Sequence, residues 1–133
     1  VLQEIELEEL KKVFPQEIRL TDDQIVGSVL FVDSYGNLVT NIHRSIIEVT
    51  AVERSFEIKV GREYLTKISL DYKEEKEARC IALYNSDGYL EIAMTAANAS
   101  KLLGVKYGGV ITVNFKQLQF QLLARKNNTL HLT

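Results

Sequence analysis

The sequence has 133 residues, of which 46% are hydrophobic, and it carries a formal net charge of −2 at pH 7. This length and composition predict a single domain with a hydrophobic core. The sequence lacks the basic stripe that is typical of nucleic-acid binding proteins. No apolar run approaches the ~20 residues of a membrane helix. One cysteine and two histidines exclude an intrachain disulfide and offer no clustered metal ligands. Because no secretory signal opens the sequence, we expect a cytoplasmic protein without a metal.

The first segment, residues 2–14, has the periodicity of an amphipathic helix. Its apolar residues lie roughly on one face, and acidic and basic residues surround them. Pro15 then ends the helix. Because the sequence begins with Val1 and not with Met, we interpret residues 1–15 as a helical lead-in from a missing N-terminal domain and residues 16–133 as a separate β-domain.

The remaining chain alternates short apolar segments with tight turns. Thr95 is expected to cap a helix over residues 96–103 that Gly104 ends, and residues 73–79 are expected to form a solvated loop or strand edge. Roughly eight short strands predict a mainly β fold, a small antiparallel β-barrel or sandwich with one or two short helices. The main predicted strands are residues 18–20, 29–32, 38–39, 56–60, 64–68, 80–84, 89–94 and 110–123, the last with a bulge or turn near 116–117, and residues 130–132 could add a short closing strand. Residues 46–52 are ambiguous between strand and helix, and their β-branched side chains favour a strand.

Residues 33–37 form the most informative turn, between two apolar strands. An ordinary hairpin would explain this composition, because Gly36 permits unusual backbone angles and the side chains of Asp33 and Asn37 can bond to their own backbone. The turn also holds an acid, an aromatic ring and a carboxamide, which together could bind a cation, stack on a flat ring and hydrogen-bond to its edge. The residues leave both interpretations open.

A second polar turn, residues 85–88, follows the apolar strand over residues 80–84. Ligand sites gather at strand ends and barrel mouths, so the two turns would share one rim if their preceding strands are neighbours that run in the same direction. His43 is at least as readily a solvent-facing residue as a ligand contact, and Cys80 is expected to be a buried, inert thiol. With no nucleophile–base pair and no phosphate-binding loop, we predict a binding domain without catalytic residues.

Both turns resemble segments of one known family. Residues 27–42 are similar to its pattern G-x-V followed by D-x-F-G-N-[LV]-x-T-N-I, and residues 85–93 are similar to N-S-x-G-Y-L-E-I-A. An Asn-Ala pair at 98–99 and a Leu-Gly pair at 103–104 follow, as they do in the family. The family is the S-adenosyl-L-methionine (SAM) hydroxide adenosyltransferases, relatives of the fluorinating and chlorinating enzymes. The resemblance covers residues 15–113.

The resemblance implies that this chain is the C-terminal β-domain of a two-domain enzyme whose catalytic N-terminal α/β domain is absent here. Such enzymes bind SAM between the N-terminal domain of one subunit and the C-terminal domain of its neighbour, within a homotrimer. They convert SAM and water into adenosine and L-methionine, with SAM as a substrate and no further cofactor. We therefore expect a domain that binds SAM or adenosine and is inactive by itself.

The resemblance also implies roles for individual residues. Asp33 resembles the carboxylate that holds the substrate ammonium group. Tyr35 resembles the aromatic residue that stacks near the adenine, with Tyr in place of the usual Phe. Asn37 resembles the carboxamide that recognises the adenine.

Further expected contacts come from the second half of the chain. Tyr72 resembles a second aromatic wall, Ser86 resembles the residue that contacts the methionine carboxylate, and Ala96 resembles a backbone contact to the adenine edge. Asp87, beside Ser86, completes the expected substrate-binding set. Halogenating relatives have Arg at the positions of Asp87 and Met94, and neither residue can clamp a carboxylate as Arg does, which favours the hydrolytic branch.

A different class of function stays open. Nearly all-apolar strands, and an alternating apolar edge at Phe120 and Leu122, would also suit a structural or oligomerisation module in which both turns are only turns. A ligand-binding module predicts that Asp33, Tyr35 and Ser86 surround one pocket. A structural module predicts a flat apolar patch instead.

Overall fold

The computed structural model describes residues 17–70, 79–95 and 97–117. Within these ranges the chain forms an antiparallel, nearly closed β-barrel with two short helices, which confirms the predicted fold class. Tyr72 and Ala96 lie outside the described residues. So do the predicted N-terminal helix, most of the predicted charged loop and the predicted strands beyond residue 117.

The described strands and helices are short. Neither helix is long enough or apolar enough to cross a membrane. The strands are β1 (Arg19–Leu20), β2 (Gln24–Val32), β3 (Leu38–His43), β4 (Phe56–Val60), β5 (Glu63–Leu65), β6 (Cys80–Tyr84), β7 (Tyr89–Met94) and β8 (Val110–Phe115), and the helices are α1 (Arg44–Thr50) and α2 (Ala99–Leu103).

Strand β2 organises the sheet because it has different neighbours along its length. Its first half pairs with β8 and β1, and its second half pairs with β3, with a register shift between Val29 and Phe31. The full hydrogen-bonded order is β5-β4-β8-β2-β3-β7-β6, and the outer strands β5 and β6 approach each other. The ends of most strands are therefore gathered at the two rims of one barrel.

Alternation of side chains places the core inside this barrel. Ile58 and Val60 of β4 are fully buried, whereas Lys59 between them is exposed, as the two-residue period of a strand requires. Most of the core is β-branched, which matches the strand preference of valine and isoleucine. The buried cluster comprises Ile25, Val29, Leu38, Ile42, Ile47, Ile58, Val60, Ala82, Leu90, Ile92, Ala99, Ile111, Val113 and Phe115.

Several residues of the motif at positions 27–42 join β2, β3 and β7. The side-chain Oδ1 of Asn41 accepts a hydrogen bond from the Ser28 N–H (2.9 Å), and the buried Thr40 hydroxyl donates to the Leu90 carbonyl (2.7 Å). A Cβ atom at Gly27 would lie 2.5 Å from Asn41 Oδ1, so a larger residue does not fit there without a shift. Gly27, Thr40 and Asn41 therefore serve the barrel itself.

Of the two alternatives for residues 46–52, the favoured one, a strand, is wrong, because Arg44–Thr50 form helix α1. Helix α1 begins at an unusual cap, because Nδ1 of His43 accepts a hydrogen bond from the Ser45 N–H (3.1 Å). The other imidazole nitrogen, Nε2, lies 3.2 Å from the Asp87 carbonyl oxygen. His43 thus joins β3, α1 and the β6–β7 turn, and both of its ring nitrogens have partners within the chain.

The predicted start of the second helix is also wrong. Helix α2 begins at Ala99, and Asn98 caps it by accepting a hydrogen bond from the Lys101 N–H (3.0 Å). The Thr95 hydroxyl oxygen instead accepts a hydrogen bond from the Arg79 N–H (2.9 Å), next to the start of β6 and the end of β7. The predicted end is confirmed, because Gly104 is the left-handed C-cap with φ of +67°.

Candidate functional site

Turn 1, residues 33–37, connects β2 and β3. Oδ1 of Asp33 accepts hydrogen bonds from the backbone N–H groups of Tyr35 (2.9 Å) and Asn37 (3.0 Å). Backbone bonds between Asp33 and Asn37 and from Gly36 to Asp33, both 3.0 Å, close the turn. The ordinary-hairpin interpretation is therefore correct for the backbone and for one carboxylate oxygen.

The side chains of turn 1 divide between the surface and the interior. Tyr35 is 79% exposed, so its ring faces solvent, whereas Asn37 is buried. The start of α2 packs against the same turn, because the Ser100 N–H donates to the Gly36 carbonyl (2.9 Å). Turn 1 thus combines a fixed carboxamide with an accessible aromatic ring.

Glu91 of β7 reaches turn 1 from the neighbouring strand and was not among the residues predicted for the site. It lies opposite Val39 of β3 and is only 9% exposed. Asp33 and Asn37 of turn 1 are the residues whose side chains influence its carboxyl group. Burial raises the pKa of Glu91, the negative charge of Asp33 raises it further, and the bond with Asn37 acts in the opposite direction.

A sequence feature could have identified Glu91. It is the one charged residue in β7, and its neighbours Leu90, Ile92 and Ala93 are all buried, so both faces of this strand are covered. A charged residue in such a strand requires a partner. The nearby side chains of turn 1, Asn37 and Asp33, follow only from strand order.

We predict that Glu91 makes stability depend on pH. Its pKa in the folded protein lies above its usual value of 4.5, so the neutral form is favoured by folding. The stabilisation is therefore complete below pH 4.5 and is lost as the pH rises through the folded-state pKa. Urea unfolding across a pH series should show wild type losing stability relative to Glu91→Gln as pH rises. Parallel curves for the two proteins would contradict the prediction.

Turn 2, residues 85–89, connects β6 and β7 and has the same design as turn 1. Oδ1 of Asn85 accepts hydrogen bonds from the backbone N–H groups of Asp87 (3.0 Å) and Tyr89 (2.9 Å). The glycine in the fourth position has φ of +87° at Gly88, compared with +88° at Gly36. An uncharged Asn therefore performs in turn 2 the backbone role that Asp33 performs in turn 1, so the turn geometry does not require the charge of Asp33.

The two turns lie at opposite ends of the β3–β7 ladder. Leu38 pairs with Ile92 near turn 1, whereas His43 pairs with Tyr89 at turn 2, and all the pairings from β2 through β3 and β7 to β6 are antiparallel. Strands β2 and β6 therefore run in opposite directions, and the condition for a shared rim is not met. At about 3.3 Å per residue, Leu38 and His43 are roughly 16 Å apart along β3. Within this chain, Ser86 and Asp87 are not brought to Asp33, Tyr35 and Asn37.

Ser86 and Asp87 are exposed and adjoin the start of α1, where the Arg44 N–H donates to the Gly88 carbonyl (2.7 Å). A cleft of about 530 Å³ lies between α1 and the segment after β5, and its lining includes Arg44, Glu48 and Tyr84. The Arg44 guanidinium carbon lies 5.3 Å from the centroid of the Tyr84 ring. Burial raises the pKa of Tyr84 to about 12, so its hydroxyl stays neutral.

Cys80 lies at the start of β6 and is half-buried. Burial raises the pKa of its thiol to about 11, with a smaller contribution from the charge of Glu63. A thiol with this pKa is protonated at neutral pH and is a poor nucleophile. The expected inert character of Cys80 is thus supported, although the residue is only partly buried.

Comparison with known proteins gives consistent matches. Residues 27–112 match the SAM hydroxide adenosyltransferase C-terminal domain. The chain is 36% identical over 109 residues to (R)-S-adenosyl-L-methionine hydrolase of Methanocaldococcus jannaschii, an alignment that covers 77% of this chain and 37% of that protein. Among solved structures, an uncharacterized conserved protein from Thermotoga maritima has a TM-score of 0.63 at 25% identity, over 74% of this chain and 39% of that one. A conserved hypothetical protein from Thermus thermophilus has a TM-score of 0.50 at 26% identity, over 68% and 34%.

The matched region contains both turns and Glu91, and it confirms the family that the two motifs resembled. The chain spans well under half the length of each of these relatives. The match to the family covers 86 of the 133 residues, from 27 to 112, and a relative more than 30% identical supports it. The chain belongs to the SAM hydroxide adenosyltransferase C-terminal domain family.

Proposed function

We propose that this chain is the substrate-binding C-terminal domain of an enzyme that cleaves SAM with water into adenosine and L-methionine, and that turn 1 contacts the ligand. The observation that carries the proposal is the difference between two turns of the same design. Turn 2 uses neutral Asn85 where turn 1 uses Asp33, so the charge of Asp33 is available for a purpose other than the turn.

The chemistry of turn 1 complements the parts of SAM. A carboxylate favours the ammonium group of the amino-acid moiety. The exposed Tyr35 ring offers a flat face on which a purine can stack, and the side chain of Asn37 is an amide of the kind that can recognise a purine edge. Tyr72 and Ala96 stay in the proposal as further adenosine contacts. The curated relative's name, (R)-S-adenosyl-L-methionine hydrolase, supports SAM as the substrate.

The catalytic step belongs, in this proposal, to an N-terminal domain outside this chain, and the chain alone is inactive. An assembly of three subunits would place the site between this domain and a neighbouring catalytic domain. The ammonium and the carboxylate of the amino-acid end share one carbon, so Ser86 and Asp87 would contact the carboxylate only of a ligand that is bound at turn 1 of a neighbouring subunit. Their proposed role is therefore separate from that of turn 1.

A structural or oligomerisation role is the second candidate. Exposed apolar side chains favour it, because Phe31 on β2 and Leu102 on α2, the elements that adjoin turn 1, are each more than half exposed. Surfaces of this kind commonly mark protein–protein contacts. Both roles are compatible in an enzyme whose site lies between subunits.

We predict that Asp33→Asn separates the two interpretations of turn 1. Asn can keep the turn, as Asn85 does in turn 2, but it removes the charge. In the full-length protein, affinity for S-adenosyl-L-homocysteine, which keeps the ammonium but resists cleavage, should fall by about 10- to 100-fold, since hydrogen bonds to charged groups contribute about 1.5–3 kcal/mol. Affinity for adenosine, which lacks the ammonium, should change little. Isothermal titration calorimetry measures both.

Two further variants complete this test. Asn37→Ala should weaken the binding of both ligands, because the amide would contact the adenosine part that they share. Asn85→Asp adds a charge to turn 2 without changing its design and should leave the affinity for adenosine, which has no carboxylate, as in wild type. Unchanged affinities in both Asp33→Asn and Asn37→Ala would contradict a ligand site at turn 1 and leave the structural module as the better account.

A further inference from the structure

The cleft between α1 and the segment after β5 lies at the end of β3 away from turn 1. Helix α1 follows β3 directly, at the end where His43 pairs with Tyr89, whereas turn 1 precedes the other end of the strand. Neither Ser86 nor Asp87 lines the cleft. Its volume of about 530 Å³ falls within the range of about 300–1,000 Å³ that is typical of small-molecule sites. The cleft is therefore separate from both polar turns and large enough for a ligand of its own.

Arg44 lines this cleft with a guanidinium group that its neighbours orient. Its Nε donates to Oε1 of Glu48 (2.9 Å), and its Cζ lies 5.3 Å from the centroid of the Tyr84 ring. Among the described residues, neither of its terminal nitrogens, Nη1 and Nη2, has a hydrogen-bond partner. The planar fork of a guanidinium matches the two oxygens of a carboxylate. Arg44 therefore presents an oriented pair of donors to a carboxylate in the cleft.

Glu48 supplies the opposite charge beside this fork. It lies one helical turn after Arg44, so both side chains are on the face of α1 that lines the cleft. Its second oxygen, Oε2, has no hydrogen-bond partner within the ranges that the structure describes. Lys67 also lines the cleft, which gives the lining a formal excess of one positive charge. The polar part of the cleft thus offers a cation for a carboxylate and, next to it, a carboxylate oxygen for an ammonium group.

Much of the remaining lining is apolar. Ile47 is 1% exposed and belongs to the core, and Ala51, Phe56 and Ile68 are partly buried against it. An aliphatic or thioether chain packed against these side chains would be removed from water. The cleft therefore combines an apolar surface with two adjacent opposite charges, which is the complement of an α-amino acid with an apolar side chain.

We propose that this cleft binds a free α-amino acid with an apolar side chain, whose carboxylate pairs with the Nη groups of Arg44 and whose ammonium group pairs with Glu48. The inference goes beyond the proposed function, because occupancy of the cleft does not require a ligand at turn 1. L-Methionine is the probe, since it has the required chemistry and the proposed reaction releases it.

Isothermal titration calorimetry of the full-length protein with L-methionine tests the proposal. L-Methioninol lacks the carboxylate and 4-(methylthio)butanoate lacks the ammonium group, so each should bind at least about tenfold more weakly than L-methionine. Glycine, which has no apolar side chain, should also bind more weakly. Arg44→Gln should weaken L-methionine binding by about tenfold or more, and Arg44→Lys, which keeps the charge but not the fork, should weaken it less.

Two further variants serve as partner test and control. Glu48→Gln should weaken the binding of L-methionine more than that of 4-(methylthio)butanoate, which has no ammonium group to lose. Arg62→Gln removes an exposed guanidinium in the turn between β4 and β5, outside the cleft, and should leave the affinity for L-methionine as in wild type. The side chains of Arg44 and Glu48 are more than half exposed, so their variants are expected to fold.

Asp33→Asn separates the cleft from turn 1, where the proposed function also places an amino-acid end. Weaker L-methionine binding in Arg44→Gln, with the binding kept in Asp33→Asn, would support the cleft. If both sites bind, wild type should take up two equivalents and each variant should lose one. Weaker binding in Asp33→Asn alone would overturn the cleft and leave the proposed function in place. No binding of L-methionine to wild type, or equal binding of L-methioninol, would also overturn the cleft, and the titrations with S-adenosyl-L-homocysteine and adenosine then decide the proposed function separately.

Discussion

Replacing Arg54 with Ala should lower the free energy of unfolding by about 3 kcal/mol, because one guanidinium group holds two distant segments. Its Nη1 donates to the Asp22 carbonyl (2.7 Å), its Nη2 to the Asp23 carboxylate (2.8 Å) and its Nε to the Lys116 carbonyl (2.8 Å). The Arg54 side chain is only 8% exposed, so solvent cannot readily replace these donors. Urea denaturation of the 133-residue chain measures the loss.

Arg44 provides the matched control. It also forms an ion pair, with Glu48 at 2.9 Å, but both side chains are more than half exposed. Pairs of this kind contribute about 0.3–0.5 kcal/mol on a helix. Arg44→Ala should therefore destabilise the chain far less than Arg54→Ala, and Arg54→Lys, which keeps the charge but not the planar fork, should fall between them. Equal losses of stability in the two alanine variants would show that burial does not strengthen the interactions of Arg54.

Local patterns were enough to predict much of this barrel. The alternation in Phe56–Val60 and the apolar segment Cys80–Tyr84 gave strands with the bounds that the structure has, and Tyr89–Met94 likewise. Each of these strands is bounded by glycine or by a polar turn, whose effect is local. The Asx bonding of Asp33 could be predicted for the same reason, because its partners lie two and four residues away.

The two helices show where local patterns fail. Residues 46–52 contain four β-branched side chains among their first five positions, which favour a strand, yet the segment is helical because Ile47 packs into the core and His43 caps the helix. Histidine is not one of the usual N-cap residues, so nothing in the sequence marked this start. For α2, Thr95 and Asn98 are both plausible caps, and the pairing of Thr95 with Arg79 leaves Asn98 to fill that role.

The arrangement of the candidate site could not be predicted from the sequence, because it depends on the order of the strands in the sheet. Placing Glu91 beside Asp33 requires β7 to pair with β3, although the two residues are far apart in the chain. The same pairing sends turn 2 to the opposite end of the ladder, against the expectation of a single rim. The motif resemblance identified the right turns, but their spatial relation follows only from the antiparallel order β2-β3-β7-β6.

Gly36→Ala should be among the most damaging single substitutions for ligand binding. Gly36 has φ of +88°, which strains any residue with a side chain, and an added Cβ would collide with the side chain of Asn98, the cap of α2. Backbone strain of about 1–2 kcal/mol and a steric cost of about 1–3 kcal/mol give an expected loss of about 3 kcal/mol in stability. The turn must move to relieve the collision, so Asp33 and Asn37 leave their positions and ligand affinity falls.

Substitutions at two other glycines separate the effect of backbone strain from the effect of a collision at turn 1. Gly104 also has positive φ, at +67°, but an added Cβ would meet nothing within 4 Å, so Gly104→Ala should cost only the backbone strain and keep ligand affinity. Gly88 has the same conformation in turn 2, where a Cβ would lie 2.6 Å from Nε2 of His43. Gly88→Ala should therefore lower stability and disturb the α1 cap, yet leave turn 1 and its ligand affinity unchanged. An equal loss of ligand affinity in Gly36→Ala and Gly88→Ala, at temperatures where both are folded, would place the ligand somewhere other than turn 1.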